Sequence, residues 1–181
     1  MQRYAVDHKQ AARVEATALY CCGRKAAGWK QADRAYYRQC LVWASRLHEL
    51  GITISHSKYA KHGDYIVRYS DLLGFTRKEQ QIVATLIRAH RGKLPVTVID
   101  ELPGSLAEPV TRLCMVLRLA VLLRRGRSKE ALPAFDISAE GGEIQLEFPE
   151  GWLDSNALTR VDLKREKKYL KTINVRLSFD H

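Results

Sequence analysis

The residues best placed to do chemistry are four histidines between residues 48 and 90. Each lies at or near a predicted helix end, with a glycine, a serine or a basic side chain close by: His48, His56, His62 and His90. Four such positions in one stretch favour a shared pocket. Neutral imidazoles with carboxylates can hold a metal ion that activates water. Imidazolium and guanidinium groups can instead bind phosphate through charge-assisted hydrogen bonds. Glu49 is the one neighbouring acid placed like a metal ligand, so the second chemistry is favoured.

Basic side chains accompany these histidines along the sequence. The predicted anion-binding residues are Arg13, His48, His56, His62, His90, Arg91 and Lys93. The predicted supporting residues are Glu49, Lys58, Lys61, Arg88 and Arg118, with Glu49 orienting a histidine or an arginine. Arg124 and Arg125, at the end of a predicted helix, either join this pocket or complement the helix dipole. No catalytic residue and no metal ligand is predicted.

The charge distribution points to an acidic partner. The net charge is +10, made of +12 in residues 1–130 and −2 in residues 131–181, so the polyanion signal lies in the first segment. A solvated basic face that maintains solubility is the simpler alternative. The composition argues against nucleic acid as the partner, because aromatic residues are only 8% of the chain and are not interleaved with the basic cluster.

Compartment signals favour the cytoplasm. The four cysteines have no C-x-x-C spacing, which predicts reduced thiols and neither a zinc nor a redox site. The longest apolar stretch, at residues 113–123, contains Arg118 and is too short for a bilayer. The first residues contain no apolar signal segment, and a cytoplasmic protein without membrane contact is expected.

Helical patterns must position the histidines and the arginines. Five helices are predicted, at about residues 7–23, 32–50, 59–72, 77–91 and 105–126. Thr76 with Glu79 and Ser105 with Glu108 resemble capping boxes, and Gly51 is expected to end the second helix in a left-handed conformation. The fifth helix is apolar on nearly every side, which predicts a central position.

The pattern changes after about residue 132. Alternating residues at 134–138 and 143–148 flank a Gly141-Gly142 turn and predict a β-hairpin. A charged helix at 159–172 and a strand at 175–179 follow. The predicted fold class is mainly α, with a helical domain over 1–130 and a small ββαβ unit over 131–181.

Several of these motifs carry a family likeness. They are Leu47-His48-Glu49-Leu50-Gly51, Ile54-Ser55-His56-Ser57, Lys61-His62-Gly63-Asp64-Tyr65 and Ala89-His90-Arg91-Gly92-Lys93-Leu94. Together they resemble the C-terminal, HD-type region of the exopolyphosphatase/guanosine pentaphosphate phosphohydrolase family. The likeness covers essentially the whole chain.

The resemblance implies an HD-type helical bundle that provides a basic channel for long polyphosphate and a dimer contact. It places hydrolysis in an N-terminal actin-like domain that holds magnesium, and no cofactor in this chain. The implied partners are inorganic polyphosphate or guanosine pentaphosphate, that N-terminal catalytic domain, and a second copy. The chain itself is then not catalytic alone.

Two alternatives stay open. The first is a metal-dependent HD phosphohydrolase acting on a nucleotide. The wider HD pattern asks for a histidine on the first helix, a His-Asp doublet and a distal aspartate, whereas the matching positions are Gln10, His48-Glu49 and Ala120-Val121. The second is a purely structural dimerisation module whose histidines satisfy buried polar groups.

Overall fold

The computed structural model describes residues 6–23 and 31–180. Within them, six α-helices and one short 3-10 helix at Leu50–Thr53 precede the first strand. The helices are α1 (His8–Gly23), α2 (Gln31–Leu47), α3 (Tyr59–Tyr69), α4 (Arg77–Ala89), α5 (Val96–Asp100) and α6 (Gly104–Leu123). α6 packs against α1, α2, α4 and α5. The apolar character of its sequence therefore led to a correct prediction of its central position.

A small mixed unit follows the bundle. It consists of β1 (Asp136–Glu140), β2 (Glu143–Glu147), α7 (Trp152–Ser155), α8 (Ala157–Lys171) and β3 (Arg176–Asp180). β1 and β2 form the predicted antiparallel hairpin around Gly141 and Gly142, while β3 returns after α8 to pair with β2 in parallel. The predicted fold class, mainly α with a small ββαβ unit, is confirmed.

One hydrophobic core runs through both parts. It includes fully buried side chains from the bundle, such as Val14, Leu86 and Leu117, and others from the mixed unit, such as Leu146 and Leu163. α6 contacts α8 as well as the bundle helices. The mixed unit is thereby held in a fixed position against the end of the bundle.

The ends of two helices test the capping predictions. Thr76 and Glu79 form the predicted capping box: the Thr76 hydroxyl accepts from the Glu79 amide, and the Glu79 carboxylate accepts from the Thr76 amide at 2.7 Å. The second box, Ser105 with Glu108, was wrong. Pro103 takes the extended N-cap conformation, so α6 begins one residue before Ser105 and no side chain caps it.

Gly51 was predicted to end α2 in a left-handed conformation, and this was also wrong. α2 ends at Leu47, and Gly51 lies inside the 3-10 helix without a positive φ. Its lack of a side chain serves close packing instead. A Cβ at Gly51 would lie 2.0 Å from the Tyr59 carbonyl oxygen and 2.4 Å from the Gly63 amide nitrogen. The two glycines of the family motifs thus let the 3-10 helix touch the backbone of α3.

The cysteine side chains are free thiols. Cys21, Cys40 and Cys114 are buried, and burial raises the pKa of each to about 12. These three thiols are therefore protonated and unreactive at neutral pH. Among the described helices, none is long and apolar enough to cross a membrane.

Candidate anion-binding site

A cavity of about 350 Å³ lies between the ends of α2 and α4, the second half of α6, and α8. Six of the predicted site residues line it: His48, Glu49, His56, His90, Arg91 and Arg118. The structure thus brings three of the four motif histidines into one pocket, together with Arg91, which follows α4, and Arg118, which lies within α6.

The other six predicted residues do not line this cavity: Arg13, Lys58, Lys61, His62, Arg88 and Lys93. Arg13 lies next to it, since its guanidinium donates to the side-chain oxygen of Gln10 at 2.9 Å and Gln10 is a lining residue. The others lie on α3, on α4, or in the turns that flank these helices. The sequence pattern correctly grouped these residues with helices near the cavity, but it did not determine whether their side chains face the cavity.

His48 and His90 occupy equivalent positions, each directly after a helix. Nδ1 of His48 donates to the Ser45 carbonyl at 2.7 Å, and Nδ1 of His90 donates to the Ile87 carbonyl at 2.6 Å. A carbonyl oxygen only accepts, so Nδ1 carries the hydrogen and Nε2 of the neutral ring is an acceptor. The two rings meet nearly perpendicular, with their centroids 5.5 Å apart.

Both imidazoles are neutral at pH 7. Burial lowers the pKa of His48, which is 1% exposed, against the opposing effect of the Ser45 hydrogen bond. Burial and then the neighbouring His48 lower the pKa of His90 well below its usual value. The hydroxyl of Tyr59 lies 3.3 Å from Nε2 of His90 and donates to it. These two histidines therefore supply hydrogen-bonding groups and rigid helix ends, and no positive charge.

Glu49 is bonded to an arginine. Its carboxylate accepts from Arg127 at 2.5 Å, and the same guanidinium donates to Asp7 at 2.8 Å. Arg127 has a left-handed backbone with φ of 52°. This two-carboxylate clamp holds the chain after α6 against the starts of α1 and the 3-10 helix, and places Arg127 on the cavity wall.

Three further arginines surround the opening. The Arg91 guanidinium lies 4.8 Å from the centroid of the Tyr59 ring, a cation–π arrangement, and forms no ion pair within the described residues. Arg125 pairs with Asp162, and Arg165 approaches the same carboxylate at 3.9 Å. Because one carboxylate serves two guanidinium groups, this side of the opening keeps unpaired hydrogen-bond donors.

α8 contributes a wall that sequence reasoning missed. Asp162, Arg165, Glu166 and Tyr169 all line the cavity. They lie at positions i, i+3, i+4 and i+7, which share one face of a helix. The net charge of −2 over residues 131–181 gave no hint of a basic site, because it sums side chains from all faces of the helix and strands. The i, i+3, i+4, i+7 spacing of these four residues is the sequence feature that could have revealed them.

Arg118 is the most deeply enclosed charged group of the site, with its side chain 1% exposed. It donates to both carboxylate oxygens of Glu166, at 2.5 and 2.9 Å, and to the carbonyls of Ala89 and Gly92, at 2.5 and 2.6 Å. Four donors of its guanidinium are thus used inside the protein.

The electrostatic balance of the cavity is mildly positive. The part of its lining that the structure describes contains five arginines and three carboxylates, an excess of two positive charges. The buried Arg118–Glu166 pair is neutral as a unit, so the excess lies on the four exposed arginines at the opening. Such a site suits an anionic ligand that reaches several guanidinium groups at once.

The metal-site alternative depends on the donor set. Of the positions that match the HD pattern, Gln10 donates its amide to the Arg124 carbonyl at 2.8 Å, and Glu49 is bound to Arg127. Across residues 6–23 and 31–180, no group of three or more His, Cys, Asp or Glu side chains is placed to hold a metal ion. The residues present do not fit a metal centre.

The fold and the cavity define a mainly helical domain with a small ββαβ unit and an arginine-lined pocket at their junction. The chain belongs to the Ppx/GppA phosphatase family, whose domain III model matches residues 1–167. The resemblance carried by the histidine motifs is thereby confirmed.

Similar curated proteins include two bacterial guanosine-5'-triphosphate,3'-diphosphate pyrophosphatases. The protein from Aeromonas hydrophila is 29% identical over 166 residues, which cover 92% of this chain and 33% of the relative. The protein from Photobacterium profundum is 33% identical over 166 residues, which cover 91% of this chain and 32% of the relative. The chain spans about a third of the length of the relatives that it matches.

Proposed function

We propose that this chain is the C-terminal accessory region of an exopolyphosphatase-type enzyme and that its cavity binds a phosphate chain. The ligand is inorganic polyphosphate or guanosine pentaphosphate, and the enzyme is a cytoplasmic homodimer. Hydrolysis belongs to an N-terminal actin-like domain that holds magnesium, and this chain needs no cofactor. The observation that carries the proposal is the convergence of Arg91, Arg125, Arg127 and Arg165 on one opening.

The arrangement of these arginines supports phosphate binding in particular. Guanidinium groups bind phosphate oxygens through two parallel hydrogen bonds. The carboxylates of Glu49 and Asp162 hold Arg127 and Arg125 in place before a ligand arrives. Preorganised side chains lose less conformational entropy on binding. The oxygens of a phosphate chain along the opening would accept hydrogen bonds from guanidinium groups that are already oriented.

The neutral histidines have a supporting role in this proposal. His48 and His90 fix the ends of α2 and α4 through their bonds to Ser45 and Ile87. Those helix ends lead directly to Glu49 and Arg91. The division into a helical domain over 1–130 and an α+β unit over 131–181 is part of the same proposal, with the ligand bound at their junction.

Polyphosphate binding by the 181-residue chain tests the proposal. Fluorescence anisotropy with labelled long-chain polyphosphate is expected to show binding that Arg91→Gln and Arg165→Gln each weaken by about 5- to 50-fold, the loss of one charge-assisted contact. Arg160→Gln is the matched control, because Arg160 also lies on α8 but pairs with Asp154 away from the cavity. Equal affinity in all four proteins would overturn the proposal.

A dimer contact is the second part, and an exposed apolar patch supports it. Tyr65, Tyr69 and Leu73 are 63%, 70% and 98% exposed, and the two tyrosine rings lie 4.9 Å apart on α3. Clustered exposed apolar side chains often mark protein interfaces. Analytical ultracentrifugation of Tyr69→Glu is expected to show monomer where the unmodified chain forms dimer. If instead anion affinity is unchanged by the arginine variants while dimerisation persists, the purely structural module is the correct function.

A further inference from the structure

Arg118 has contacts that differ in kind from those of the other cavity arginines. It interrupts α6, the most apolar of the described helices, and its side chain is 1% exposed. The four arginines at the opening have free donors or carboxylate partners near solvent. Arg118 instead donates to four acceptors that are all parts of the protein. An internal group so completely bonded has little capacity left for an incoming ligand.

The four acceptors belong to two segments that line the cavity. The carbonyls of Ala89 and Gly92 enclose the turn after α4, which carries His90 and Arg91. The Glu166 carboxylate lies on α8, next to Arg165. α6 contacts both α4 and α8 and supplies Arg118 as the link. The segments that carry Arg91 and Arg165 are therefore bonded to the same guanidinium group.

We propose that Arg118, with Glu166, is a positioning pair that sets the spacing of the anion-binding arginines and does not itself touch the ligand. This inference depends on the proposed phosphate-binding function. The planar guanidinium can bond a carboxylate on one edge and two carbonyls on the others. A lysine ammonium would preserve the buried charge pair but present its donors from a single point, so it could not reach all of these acceptors.

Hydrogen–deuterium exchange of Arg118→Lys tests the positioning role without any ligand. The backbone of residues 89–93 and of α8 is expected to exchange at least about ten times faster than in the unmodified chain, while α3 is unchanged. Arg112→Lys is the matched control, since Arg112 lies on the same helix and pairs with Glu108 at the surface. Unchanged exchange at residues 89–93 in Arg118→Lys would overturn the proposal, whatever the chain binds.

The salt dependence of polyphosphate binding separates positioning from direct contact. By analogy with nucleic acids, the slope of log affinity against log salt is negative, and its magnitude falls by about 0.7–0.9 for each cation–phosphate contact that is removed. The double variant Arg118→Met with Glu166→Met removes the buried pair together with its charges. It is expected to weaken binding about tenfold with the slope unchanged, whereas Arg91→Gln reduces the magnitude of the slope by about one contact. A slope of reduced magnitude in the double variant would identify Arg118 as a ligand, and unchanged affinity would show that the pair does not set the arginine spacing; either result would overturn the proposal.

Failure of the proposed function has a different signature. If the unmodified chain binds no polyphosphate but residues 89–93 loosen in Arg118→Lys, the pair positions these walls and the ligand assignment is wrong. If binding is present and the walls stay rigid in the variant, the ligand assignment stands and the positioning inference fails.

Discussion

Replacing Arg118 with methionine should be among the most destabilising single changes in this chain. The substitution leaves the Glu166 carboxylate, whose side chain is 8% exposed, without its cation. Removing one partner of a buried ion pair costs about 3–5 kcal/mol. The carbonyls of Ala89 and Gly92 lose a donor as well. In a domain of this size each kcal/mol corresponds to about 2–4 °C, so the melting temperature should fall by about 6–20 °C.

The double replacement, Arg118→Met with Glu166→Met, identifies the cause. Replacing both partners of a buried ion pair with apolar side chains often leaves the free energy of unfolding unchanged. The double variant should therefore regain the stability that the single variant loses by leaving Glu166 unpaired. The unpaired carbonyls should leave a residual cost of about 1–3 kcal/mol. Urea unfolding followed by circular dichroism measures all three proteins at pH 7. A loss below about 1 kcal/mol for the single variant, or an equal loss for the double variant, would refute this explanation.

Three further outcomes follow from particular contacts. Gly51→Ala should destabilise the chain by at least about 2 kcal/mol, because its Cβ would overlap the Tyr59 carbonyl; a urea midpoint equal to that of the unmodified chain would contradict this packing. Thr76→Ala removes a capping box and should cost about 1 kcal/mol by the same assay, and Thr76→Ser should restore most of it. The depressed pKa values of His48 and His90 mean that the unfolded chain binds more protons than the folded one below about pH 6.5. The free energy of unfolding should therefore be highest above about pH 6.5 and should decrease as the pH falls below that value. If urea titrations between pH 7.5 and 5 give the same free energy of unfolding throughout, these two rings are not buried and neutral.

Local patterns were sufficient to predict most of the fold. The apolar sides of α6 gave its central position, and the Gly141-Gly142 turn gave the hairpin. The capping box at Thr76 was correct because its two residues interact within one turn of helix. Helix ends that depend on contacts with residues distant in the sequence were harder to predict. Gly51 is required by a contact with α3, and no local pattern specifies that contact.

The candidate site was predictable in part, for a related reason. The motif histidines lie at helix ends that converge, so His48 and His90 were found with Arg91. The sequence favoured charged imidazolium rings, whereas burial by the whole bundle lowers the pKa of both histidines and keeps them neutral. The contribution of α8 depends on how it docks on α6, through an ion pair between residues 48 positions apart. The arginine inside the apolar stretch at residues 113–123 was the sequence signal that such a partner must exist.

The salt dependence of polyphosphate affinity tests the central claim most directly. Four arginines at the opening predict a slope of log affinity against log salt of about −3, at 0.7–0.9 for each contact. The measurement uses the 181-residue chain and long-chain polyphosphate between about 50 and 300 mM salt. A slope near −3 whose magnitude decreases by about 0.7–0.9 in Arg91→Gln supports the proposed site. A slope near zero, or binding no tighter than that of a neutral control protein, would contradict it.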